Sequence, residues 1–293
     1  MKALTIKEAL QRASFCLQQA GIEQHVDESE ILLARILNLD RLQLFLNHAR
    51  EITNQSASLY QEVIERRCQG EPAAYISGEK YFYGRPFIVN EEVLIPRPET
   101  ELIIDGVMDR AGKQYKANGQ GIKCIDLGTG SGVIAVTLAL LLPKAEVWAI
   151  DISKAALHTA RLNAARYNVQ EKIRWCCGNY FDPLDGLANK PQFNLVVSNP
   201  PYLTSHDLEN LPDHIKRYEP VQALFGGEDG LGSYRMILER LPEFAAQPAL
   251  VLMEAGAGQK EQIEKLCSKI GLFKSISWRY DLSGWPRVIE ALI

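Results

Sequence analysis

No Cys-x-x-Cys pair occurs among the six cysteines of this 293-residue sequence, and its five histidines form no ligand-spaced cluster with them. That removes the usual signatures of a structural zinc site or a redox dithiol, and leaves free thiols and no metal as the expectation. Long apolar runs are missing too: the most apolar stretch, Val133 to Leu142, is far below bilayer-spanning length. The start of the chain shows no apolar core followed by a small-residue cleavage site, so the cytoplasm is the expected compartment, with no membrane partner. Neither sign of charge dominates. The formal net charge is -4, and the first 80 residues carry 9 Lys+Arg against 11 Asp+Glu. Non-specific affinity for nucleic acid comes mainly from Lys and Arg neutralising phosphates, so direct nucleic-acid binding is not expected. No internal repeat is evident.

What is present is enough apolar sequence, 46%, for one large domain with its own core and a smaller one beside it. Residues 1–78 read as wholly helical. Thr5 and Glu8 form a capping-box pair that opens a helix ending near Gly21; Asp27 can cap a second apolar run, Ile31 to Leu37; Thr53 can cap a third that stops at Gly70. The character changes at Lys80 to Val89, where aromatic and β-branched residues flank Gly84 and Pro86, as in a hairpin. Residues 79–98 are therefore assigned to a β-hairpin linker, and 99–293 to the large domain. A helix over 99–110 and a polar surface loop over Gly112 to Gly121 come next.

From Ile122 the pattern alternates: strand 122–127, a helix after Gly132, strand 146–150, helix 154–166, strands 173–176 and 193–198, helix 231–244 and strand 250–253. Alternation of this kind implies an α/β fold with a parallel sheet covered by helices on both faces. A helix over 259–270 and two strands, 273–280 and 287–292, close the sequence; the short turn between those strands makes the pair antiparallel.

Two segments carry chemistry. Gly128-Thr129-Gly130-Ser131-Gly132 sits where the first strand gives way to its helix, the position at which open α/β sheets bind ligands. Its glycines remove Cβ atoms and let the backbone approach a ligand closely. A dinucleotide fingerprint needs a third glycine where this chain has Val133, so hydride transfer loses ground. Asp151 ends the next strand, where a carboxylate can accept hydrogen bonds from both hydroxyls of a ribose. The second segment, Asn199-Pro200-Pro201-Tyr202, follows an apolar strand and so shares the sheet edge with the glycine loop. Its prolines fix φ and push the preceding residues toward extended backbone, which makes the segment stiff.

A delocalised amide or exocyclic amino nitrogen is a poor nucleophile and must be aimed at its electrophile. The side-chain oxygen of Asn199 and the carbonyl of Pro200 can accept both N–H groups, and Tyr202 offers an aromatic surface to the planar group. Glycine loop, acid and tetrapeptide together point to a class I, Rossmann-like methyltransferase using S-adenosylmethionine, with S-adenosylhomocysteine as product. The sulfonium is already a strong electrophile, so such chemistry requires no metal and no covalent nucleophile. On this reading Asn199, Pro200 and Tyr202 are the catalytic candidates, and Asn199 to Tyr202 bind the substrate.

Further segments extend the pattern across nearly the whole chain: Pro72-Ala73-Ala74-Tyr75-Ile76-Ser77-Gly78, Tyr83-Gly84, Leu94-Ile95-Pro96-Arg97-Pro98-Glu99-Thr100-Glu101, Glu219-Pro220 and Gly230-Leu231. In order and spacing, the chain resembles the HemK/PrmC family of peptide chain release factor glutamine N5-methyltransferases. The resemblance implies a helical N-terminal domain that docks on the release factor. It implies a catalytic domain that methylates the Gln side-chain amide of a Gly-Gly-Gln loop. It also places Gly128, Thr129, Gly130, Ser131, Gly132, Asp151 and Asn199 on the cofactor. Family members often carry an acidic residue and then an aromatic beside the adenine; here Asn179-Tyr180 stands in that place and leaves the aromatic role to Tyr180.

Two other readings stand against this one. An enzyme methylating exocyclic amines of nucleic acid, of the N6-adenine type, would use the same tetrapeptide, with a basic groove and a base-flipping pocket. A non-catalytic nucleotide-binding protein would keep the fold but lose the Asn or a glycine. His206 and His214 are read as solvated loop histidines, Arg97 and Glu99 as structural charges, and Trp148, Trp175, Trp278 and Trp285 as packing residues.

Overall fold

The computed structural model describes residues 4–114 and 121–293, with the side chains of 111–114 excepted. The described residues divide into two compact units. One runs to Glu79 and takes in Pro212–Tyr218; the other comprises Lys80–Leu211 and Glu219–Ile293.

The first unit opens with α1 (Ile6–Gln19), α2 (His25–Leu37), α3 (Arg41–Leu46), α4 (Asn54–Cys68) and α5 (Ala73–Ser77). Thr5 caps α1, with Glu8 returning a bond to the Thr5 amide at 2.9 Å, and Thr53 caps α4. Asp27 does not cap α2. The helix starts two residues earlier at His25, which puts Asp27 in its first turn, where a carboxylate still suits the positive end of the helix dipole. The apolar stripes of α1, α2 and α4 meet in a small core containing Ile6, Leu17, Leu32, Leu33 and Ile64. Tyr60 donates its hydroxyl to the Ser29 carbonyl within it at 2.8 Å.

The two-stranded sheet of β1 (Glu79–Phe82) and β2 (Arg85–Ile88), the expected hairpin, belongs to the second unit apart from Glu79. A 3-10 turn over Pro98–Thr100 leads into α6 (Glu101–Gln114). The loop expected over Gly112 to Gly121 starts inside that helix, and its residues 115–120 lie outside the described residues. Then follow β3 (Lys123–Leu127), α7 (Val133–Leu141), β4 (Glu146–Asp151), α8 (Lys154–Arg166), β5 (Ile173–Cys177) and β6 (Phe193–Ser198). After β6 come α9 (Ser205–Glu209) and α10 (Asp213–Tyr218), the latter part of the first unit. The chain finishes with α11 (Gly232–Phe244), β7 (Ala245–Glu254), α12 (Lys260–Ile270), β8 (Ser275–Tyr280) and β9 (Pro286–Leu292).

The main sheet has the order β5-β4-β3-β6-β7-β9-β8. β5, β4, β3, β6 and β7 are parallel, while β9 runs antiparallel to both β7 and β8. Strands buried on both faces read as continuous apolar runs, and Leu195, Val196 and Val197 in β6 are fully buried. Two cores result, one per face. Ile103, Val107, Ile134 and Leu138 from α6 and α7 fill one; Tyr234, Leu238, Leu241 and Ile263 from α11 and α12 fill the other. Trp148, Trp175 and Trp278 pack against these cores as expected, but Trp285 is 54% exposed because it lies in the β8–β9 turn, beyond the edge of either core. All six cysteines are free thiols. Among the described residues no helix is long and apolar enough to cross a membrane.

Candidate active site

The order of the sheet reverses at β3, which lies between β4 and β6, and a crevice opens at the carboxyl ends of these strands. A cleft of about 290 Å³ occupies it, with Gly128 to Ser131, Asp151, Tyr180 and Asn199 among its walls. The glycine loop is anchored from below, since the amides of Gly128 and Thr129 both donate to the Ile150 carbonyl, at 2.8 and 2.9 Å. Gly132 has φ +81°, and a Cβ there would sit 2.9 Å from the Ala160 Cβ, so only glycine lets the loop lie this close on α8. Asn163, fully buried on α8, donates to the Ser131 carbonyl at 2.8 Å and exchanges bonds with the Ile88 amide and carbonyl, tying the loop to β2.

Asp151 accepts from the Gly130 amide at 2.8 Å and from the Ser153 amide at 2.9 Å. Burial raises its pKa above the usual carboxylate value, and those backbone donors oppose the rise. The lining carries two carboxylates, Asp151 and Glu92, and no Lys, Arg or His among the described residues. Such a wall favours a cationic ligand and offers no side-chain cation to a phosphate. Tyr180 stands on the far side of the cleft at φ +42°, its hydroxyl bonded to Ser233, while Asn179 donates to the Met236 sulfur at 3.6 Å.

β6 ends at Ser198, whose hydroxyl donates to the Leu127 carbonyl at 2.6 Å and locks the two strand ends together. The tetrapeptide starts at the next residue. Asn199 and Pro201 line the cleft; Pro200 and Tyr202 are not among its lining residues. The Tyr202 ring packs against the core to which α11 contributes, and its hydroxyl points at Glu254 Oε1 across 3.4 Å. Glycines elsewhere make room for this segment: a Cβ on Gly230 would stand 2.4 Å from the Tyr202 carbonyl oxygen.

Several residues around the tetrapeptide escaped the sequence reading. Gln259 donates to the carbonyls of Tyr202 and Gly230, at 2.9 and 3.2 Å, and accepts from the Gly256 amide at 2.9 Å. Asn199 Nδ2 donates to the Thr100 hydroxyl at 3.1 Å, and Thr100 donates to Glu254 Oε2 at 2.6 Å. Glu219, whose side chain is 1% exposed, receives the Ile95 amide at 3.2 Å and the Arg97 guanidinium at 2.5 Å, fixing the segment that leads into the Thr100 turn. Asp126, buried in β3, accepts from Thr129 Oγ1 at 2.6 Å and from the Ala135 amide at 3.1 Å, and burial pushes its pKa up to about 7. A signal existed for the acids: Asp126 and Glu254 each stand at or near the carboxyl end of an apolar strand, where a charge is costly unless partnered. His206 and His214 are exposed, but they lie on α9 and α10 and not in loops; Thr204 caps α9, and both helices are too short to show a periodicity in the sequence. No group of three or more His, Cys, Asp or Glu placed to hold a metal occurs among the described residues.

Comparison with known proteins completes the picture. Residues 8–78 match the family model described as the PrmC N-terminal domain, and residues 113–214 match the methyltransferase small domain. A release factor glutamine methyltransferase of Bacillus cereus is 36% identical over 288 residues, which covers 98% of this chain and 99% of the relative. The chain belongs to the release factor glutamine methyltransferase family. Its counterpart in Koribacter versatilis, of the same name, is 37% identical, with 98% of each chain covered. Among solved structures, a methyltransferase from Pyrococcus furiosus superposes with a TM-score of 0.50 at 16% identity, over 79% of this chain and 98% of that one. The hMettl16 catalytic domain, solved with an RNA hairpin, gives a TM-score of 0.54 at 14% identity and covers 84% of each chain. Likeness at that identity concerns the fold alone, and it is the Rossmann-like methyltransferase fold expected from the sequence.

Proposed function

We propose that this protein transfers a methyl group from S-adenosylmethionine to the side-chain amide nitrogen of the Gln in the Gly-Gly-Gln loop of peptide chain release factors. One observation carries the reading: the glycine loop, Asp151 and Asn199 line a single cleft whose only charged walls are acidic among the described residues. The residues present suit the cofactor, since Asp151 has a fixed carboxylate for a ribose, the loop admits close approach of the ligand, and the acidic walls favour a sulfonium. When bound, S-adenosylmethionine supplies an electrophilic methyl carbon on positively charged sulfur and leaves as S-adenosylhomocysteine.

The remaining requirements fall on this chain. Asn199 Oδ1 and the Pro200 carbonyl accept the two hydrogens of the substrate amide, which orients its nitrogen and strengthens as that nitrogen becomes more acidic. Pro200 and Pro201 hold these acceptors in place at little entropic cost, because their φ angles are fixed before substrate arrives. Tyr202 serves as an anchor, its carbonyl on Gln259 and its ring in the core. The family's name and the even charge balance favour a protein substrate over nucleic acid, and the cytoplasm is the matching compartment.

Purified protein with methyl-labelled S-adenosylmethionine tests this against release factor, its loop Gln→Ala variant and duplex DNA or RNA. Label on release factor that disappears in the Gln→Ala variant is expected. Label on nucleic acid with none on release factor would sink the reading in favour of an exocyclic-amine methyltransferase.

A further inference from the structure

The Ile95-Pro96-Arg97-Pro98-Glu99-Thr100-Glu101 segment ends on a residue that touches the reacting tetrapeptide. The Thr100 hydroxyl has one hydrogen, and above about pH 7, where Glu254 is ionised, its 2.6 Å bond to Glu254 Oε2 commits it. Its oxygen can then only accept, and the group it meets is the Asn199 amide at 3.1 Å. A half-turn of that amide exchanges nitrogen for oxygen while filling the same space, so packing cannot choose between the two states. Hydrogen bonding does choose. Turned over, the Asn199 oxygen would face a Thr100 oxygen with no hydrogen left to give. Thr100 and Glu254 are each 2% exposed, so water cannot readily supply the missing partner. The Glu254 backbone carbonyl accepts the buried Tyr234 hydroxyl at 2.6 Å, and the other Glu254 carboxylate oxygen faces the Tyr202 hydroxyl at 3.4 Å.

We propose that Thr100 and Glu254 are positioning residues for the methyl transfer: a relay of two hydrogen bonds turns the Asn199 nitrogen away and leaves its oxygen free to accept from the substrate amide. This rests on the proposed function, in which the substrate presents an NH₂ group. A reversed Asn199 would set two donors against each other, and molecules in that state would bind release factor without turning it over. Freed of the relay, Asn199 samples both states.

Thr100→Val removes the hydroxyl while keeping the shape, and Thr100→Ser keeps the hydroxyl. We expect Thr100→Val to lower kcat by about 2-fold, the loss when half the molecules hold Asn199 reversed, with KM for release factor unchanged, and Thr100→Ser to restore most of kcat. Glu254→Gln can offer Thr100 either an oxygen or an NH₂ and is expected to fall between them. Asn199→Ala combined with Thr100→Val should be no slower than Asn199→Ala alone, because both act through one group. A second readout needs no turnover: exchange of the Asn199 side-chain amide protons, assigned by their loss in Asn199→Ala, should be slow in wild type and Thr100→Ser and fast in Thr100→Val. If wild type leaves release factor unlabelled, the functional reading fails while the exchange measurement still decides the relay. Wild-type kcat and unchanged exchange in Thr100→Val, or losses that multiply in the double variant, would overturn it.

Discussion

Replacing Gln259 with leucine should loosen the tetrapeptide without opening a cavity, because the two side chains are close in volume. Gln259 is 9% exposed and makes three bonds, to the Gly256 amide at 2.9 Å and to the Tyr202 and Gly230 carbonyls at 2.9 and 3.2 Å. Leucine leaves all three backbone groups without that partner. At roughly 1–3 kcal/mol per buried group left unsatisfied, and less where water reaches, the loss comes to about 3–5 kcal/mol. The added apolar burial returns about 1 kcal/mol, so a net destabilisation of about 2–4 kcal/mol is expected. All four tryptophans lie in the sheet-bearing unit, so urea unfolding followed by tryptophan fluorescence reports on that unit alone. Because the Tyr202 carbonyl is released, kcat should also fall by about 10-fold. A Gln259→Leu protein within about 0.5 kcal/mol of wild type and with full kcat would refute the idea that this side chain braces the tetrapeptide.

Asp151→Ala removes the acceptor that faces the cleft and frees the Gly130 and Ser153 amides, so calorimetry should show affinity for S-adenosylmethionine weakened by about 10- to 100-fold. Gly132→Ala forces a Cβ to 2.9 Å from Ala160 at a φ of +81°, and should destabilise the unit by about 2–4 kcal/mol and abolish cofactor binding. The pH dependence has a definite sign. Burial raises Glu254 and Asp126 to about 7, so the folded state holds protons that the unfolded chain releases near pH 4. Their contribution to stability is full below that range, is lost as pH rises toward 7, and is flat above. Glu254→Gln and Asp126→Asn should each reduce this loss, read as the difference in urea midpoint from wild type between about pH 4.5 and 8.

Local signals carried much of this architecture. The expected limits of α8 and β6 coincide with the observed ones, and the Thr5–Glu8 capping box is present, because each is set by residues within a few positions. The short helices α3, α5, α9 and α10 were not legible, since five or six residues are too few to show a 3.6-residue period. The convergence of the glycine loop, Asp151 and Asn199 on one cleft was legible through their place at strand ends. Thr100, Glu254 and Gln259 were not, because their partners stand far off in sequence: Thr100 lies 99 residues from Asn199 and 154 from Glu254. The surroundings of Tyr202 were not legible for the same reason, since Gly256 and Glu254 against its side chain and Gly230 against its carbonyl all come from later in the sequence.

The most direct measurement of the central claim is fragment mass spectrometry of release factor after incubation with S-adenosylmethionine and either wild type or Asn199→Ala. The methyl group is expected on the side-chain nitrogen of the loop Gln with wild type, and at a small residual level with Asn199→Ala even though that variant remains folded. Methylation at any other residue, or undiminished methylation of the Gln by Asn199→Ala, would contradict it.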